Sequence, residues 1–124
     1  MTEVSNHKMT GAAPSADRWH GQSVRDLIDY WADKTPTRPF LICPERDRVV
    51  SYADLQREVA ALTREVAALG VKPGESVAFA GCNGYGATLA FLGSLYGGFR
   101  ATPLNLVAGS DALAYVLDHC GARF

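Results

Sequence analysis

SYADLQREVAALTREVAALGVKPGESVAFAGC, residues 51–82, decides the fold. It opens on Ser51 and Asp54, a capping-box spacing in which a hydroxyl and a carboxylate serve the free N–H groups of a helix start. Leu55, Val59, Leu62, Val66 and Leu69 then recur in steps of four and three, one apolar stripe on one helix face. Gly70 suits the left-handed position after a helix, with Val71 behind it to close the cap. Lys72-Pro73-Gly74-Glu75 reads as a turn. Ser76 to Cys82 reads as a strand, so continuously apolar that both faces are expected to be covered.

The same alternation continues towards the C-terminus. Asn83-Gly84 turns the chain, and Tyr85 to Gly97 is a helix apolar almost all round, which neighbours must bury on more than one side. Phe99 to Leu104 is the next strand. Ser110 is expected to cap a last helix with Leu113, Val116, Leu117 and Cys120 on one face and Gly121 at its end. Asp111 and His119 complement its dipole. Helix, strand, helix, strand, helix implies right-handed crossovers and a mostly parallel sheet. A further strand is expected to begin at Ala122-Arg123-Phe124, so the α/β domain reads as partial and truncated.

Towards the N-terminus the order is simpler. Ser23 and Asp26 repeat the capping-box spacing ahead of Val24, Leu27, Ile28 and Trp31, an amphipathic pattern ended by Pro36 and Pro39. Phe40 to Cys43 and Val49-Val50 read as short strands about a charged turn, Pro44 to Arg48, which lacks an Asn-Gly signal for a hairpin. Residues 1–22 are polar, small and turn-rich and read as a disordered tail. Order is expected over 23–124.

Composition excludes several classes. Apolar residues are 48%, charged residues 20% and the net charge is -1, so nothing favours nucleic acid or an anionic membrane. No apolar run is long enough to cross a bilayer. Cys43, Cys82 and Cys120 are far apart and suit small buried hydrophobes in a reducing cytoplasm. His7, His20 and His119 never fall at metal-ligand spacing. Gly81-Cys82-Asn83-Gly84-Tyr85-Gly86 stands where a phosphate cradle would, between strand and helix, but it has neither dinucleotide nor Walker spacing and reads as a tight turn. No nucleophile elbow occurs. A receiver-type reading fails because the strands end at Cys82 and Asn105 and not in acids. Asp26, Asp29 and Asp33 read as a solvated helix face, Trp31 as core, and Lys72 as a turn lysine without a partner.

Four stretches together resemble the N-terminal region of the adenylate-forming (AMP-binding) superfamily, which includes acyl-CoA synthetases, luciferases and peptide-synthetase adenylation domains. They are Ser51-Tyr52-Ala53-Asp54-Leu55, similar to the family's Thr/Ser-Tyr-x-Glu-Leu with Asp54 for Glu; Gly70 to Ala78; the Asn83 turn with its apolar helix; and Gly97-Gly98-Phe99 through Pro103-Leu104-Asn105. Asn105, where peptide-synthetase domains usually carry Asp, points towards acyl-CoA synthetases. The resemblance implies an acid–thiol ligase using ATP, magnesium and coenzyme A on a small carboxylic acid. Carboxylate attack on the α-phosphate would give acyl-adenylate and pyrophosphate, before transfer to a thiol. The family's phosphate loop, adenine segment, ribose-binding Asp and C-terminal catalytic Lys match nothing here. No catalytic, cofactor-binding or metal residue is therefore assigned, and the chain alone is expected to be inactive, its partner being the remainder of a longer polypeptide. The rival readings are a self-standing α/β interaction module and a piece of a carrier-protein-loading adenylation domain.

Overall fold

The computed structural model describes residues 21–81 and 83–122. Its elements run α1 (Val24–Lys34), β1 (Pro39–Cys43), β2 (Arg48–Ser51), α2 (Tyr52–Ala68), β3 (Ser76–Ala80), α3 (Tyr85–Tyr96), β4 (Arg100–Leu104) and α4 (Ser110–His119). Both capping boxes form. Ser23 Oγ accepts from Asp26 N at 3.2 Å while Asp26 Oδ2 takes Ser23 N at 2.8 Å. Ser51 and Asp54 repeat the exchange at 3.1 Å in each direction. The Ser51 hydroxyl, its amide and then Arg57 hold the Asp54 carboxyl at about 2. Gly70 takes φ 94°, the left-handed conformation that ends α2, and Val71 is buried behind it.

β1 and β2 pair antiparallel, so the two N-terminal strands do make a hairpin. A 3-10 turn, Pro44–Arg46, closes it, with Asp47 at φ 47° in place of an Asn-Gly pair. β3 and β4 pair parallel, from Ser76 against Arg100 to Ala80 against Leu104. Ser76 also bridges Ala122 in parallel. One residue pairs with one neighbour on each flank, so the chain re-enters the sheet beside β3 at Ala122, where the next strand is expected. Arg123 and Phe124 lie outside the described residues, as do Cys82 and nearly all of the predicted tail, residues 1–20.

The core sits where α1, α2, the hairpin and α3 meet. Ile28, Val50, Leu55, Val59 and Tyr96 form it, with Val59 wholly buried. The α2–α3 contact is close: buried Gly93 faces Leu62, and Thr63 Oγ1 donates to Gly93 O at 3.2 Å. Cys43 is buried as expected, while Cys120 is half-buried at a helix end.

Four expectations change. Ser110 is the first residue of α4 and makes no side-chain cap; Gly109, at φ 90°, is the N-cap. The apolar stripe of α4 is not buried: Val116 and Leu117 are 37% and 47% exposed, because the helix packs mainly on the Leu106–Ala108 turn. The strand β3 is half-buried on both faces, not fully covered. α3 packs against β3 and β4, yet Val77, Ala78 and Phe79 remain half-buried. Asp29 is half-buried and paired, not on a freely solvated face. It accepts from Gln56 Nε2 at 2.8 Å and from Tyr96 Oη at 2.7 Å, joining three helices.

Candidate functional site

Concave surface gathers at the carboxyl ends of β3 and β4, the end of a parallel sheet where ligands are generally held. The β3–α3 turn forms its centre. Gly84 adopts φ 146°, ψ -160°, a conformation open to glycine and strained for other residues. Its carbonyl accepts from Thr88 N at 3.0 Å and from Thr88 Oγ1 at 2.9 Å, starting α3.

Three elements lock this turn. Glu58 of α2, with a side chain 16% exposed, accepts from Tyr85 Oη in the first turn of α3 and from Arg48 Nη2 of β2. The Arg48 guanidinium also lies 4.4 Å from the centre of the Tyr85 ring. The hairpin is thereby held over the β3–α3 turn. Arg46 from the hairpin, with Phe79, Gly81, Asn83 and Tyr85, bounds a cavity of about 400 Å³. A second, of about 440 Å³, lies beyond β4 between Gly81, Asn83, Pro103 and Asn105. Asn105 Oδ1 accepts from Val107 N at 3.0 Å, so its side chain shapes the turn after β4.

A Cβ placed on Gly84 would lie 3.8 Å from Glu45 Oε1, so a carboxylate already stands at the positive end of α3. Among the described residues, no group of three His, Cys, Asp or Glu side chains could hold a metal ion. Asn83 and Gly84 form a turn between β3 and α3. Trp31 is half-buried and forms one wall of an apolar groove with Phe40 and Tyr52. The backbone N–H of Lys72 donates to the side chain of Glu75, at Oε2, over 2.8 Å.

Sequence reasoning missed the Arg48, Glu58 and Tyr85 cluster and the knot of Asp29, Gln56 and Tyr96. The available signal was placement. Glu58 adjoins the α2 stripe, three residues after Leu55, and the two tyrosines are the first and last residues of a mostly apolar helix. A phenol in such a place needs a partner.

The chain belongs to the family of AMP-binding enzymes, which matches residues 28–124. Among curated proteins it is 29% identical over 97 residues to a sulfoacetate–CoA ligase of Cupriavidus necator, covering 78% of this chain and 19% of that one. It is 35% identical over 107 residues to the AMB antimetabolite synthetase AmbB of Pseudomonas aeruginosa, covering 86% and 8%. The N-terminal domain of FACL13 from Mycobacterium tuberculosis superposes with a TM-score of 0.76 at 21% identity, over 82% of this chain and 25% of that one. The fatty acid AMP ligase of Legionella pneumophila gives 0.71 at 25%, over 85% and 19%. The expected family and the α/β fold are thus both found. The chain spans about a fifth or less of the length of these two curated relatives. No helix among the described residues is long and apolar enough to cross a membrane.

Proposed function

We propose that this chain is the N-terminal portion of an ATP-dependent acyl-CoA synthetase-like ligase, without activity by itself, and that it works in the cytoplasm. The parent reaction would join a small carboxylic acid to AMP with release of pyrophosphate, then pass the acyl group to the thiol of coenzyme A. Magnesium would neutralise phosphate charge in that enzyme. The observation that carries the reading is the family match over residues 28–124 in a chain that spans only 19% of the sulfoacetate–CoA ligase. The described residues supply packing. Their caps, turns and buried α3 face would support a site completed elsewhere.

A second acceptor has support of its own. One relative, 26% identical over 110 residues, is a fatty acid–[acyl-carrier-protein] ligase, ScoC, of Streptomyces coeruleorubidus. A carrier-protein thiol is therefore the alternative to coenzyme A.

The test is carboxylate-dependent pyrophosphate release by the purified chain with ATP, magnesium and a panel of carboxylic acids. None is expected above background. Robust release would overturn the proposal, because a 124-residue chain would then hold a complete adenylation site.

A further inference from the structure

We draw no further inference here: the strongest candidate, the apolar groove of about 300 Å³ between α1 and the hairpin walled by Trp31, Phe40 and Tyr52, carries nothing because nothing in the structure shows what covers it.

Discussion

Replacing Gly93 by Ala sets two effects against each other, and the structure decides between them. Alanine is favoured over glycine inside a helix by about 1 kcal/mol. The added Cβ, however, would stand 2.5 Å from Leu62 Cδ2, and 3.3 and 3.4 Å from Leu62 Cγ and Cβ. Carbon atoms prefer roughly 3.5–4.0 Å, so the Leu62 methyl must move by about 1 Å. Swinging that methyl away still leaves Leu62 Cγ tight at 3.3 Å. Overpacking of this kind costs about 1–3 kcal/mol. The expected net effect of Gly93→Ala is a loss of up to about 2 kcal/mol, the difference of those two ranges. Leu62→Ala removes the obstructing methyls. In that background Gly93→Ala should turn stabilising, by up to about 1 kcal/mol. Urea unfolding of the four chains, followed by ellipticity at 222 nm, closes the cycle. Equal effects of Gly93→Ala in both backgrounds would refute the reasoning, since α2 and α3 would then not touch at this point.

Three further outcomes follow from the structure. Asp54 is held at about 2 by Ser51 and Arg57, below its unfolded value, so its contribution is present above pH 4 and fades as pH falls towards 2; Asp54→Asn should flatten the acid limb of a stability–pH curve, and an unchanged limb would contradict the capping role. Burial first, and then the Asp29 carboxylate, raise the Tyr96 phenol above its ordinary value. Its stabilisation is therefore complete below the unfolded pKa and is lost as pH rises through the folded one. Ultraviolet titration should show a late-ionising tyrosine that Tyr96→Phe removes, and an unaltered titration would refute the assignment. With α4 unburied and β3 only half-buried, the purified chain should bind a hydrophobic dye and melt weakly or self-associate, whereas a sharp two-state melt of a dye-free monomer would favour the self-standing module.

What could be read beforehand was local. The serine–aspartate pairs announce the starts of α1 and α2 because the cap closes within four residues, and Gly70 announces an end because its backbone conformation is nearly its own. The parallel β3–β4 pair follows from alternation alone. Readings that needed distant partners fared worse. Asp29 looks solvated from its helix, since nothing nearby reveals that Tyr96, 67 residues on, turns a hydroxyl towards it. The clasp of Arg48 and Tyr85 on Glu58 was hidden for the same reason. Ser110 has the residue type of a cap, but Gly109 takes the capping conformation and leaves the hydroxyl one position late. The failure of α4 and β3 to become buried reflects coverage, which a helical or strand-like pattern does not specify.

The knot of Asp29, Gln56 and Tyr96 also orders events during synthesis. Its first member leaves the ribosome 67 residues before its last. At about 5–20 residues per second, Asp29 waits roughly 3–13 s for the phenol that completes the knot. In that interval the hairpin and α2 can already pair with each other, being adjacent in the chain. α1 can meet Gln56 of α2, 27 residues after Asp29, and a nascent chain stalled before residue 96 should hold the knot by one of its two hydrogen bonds.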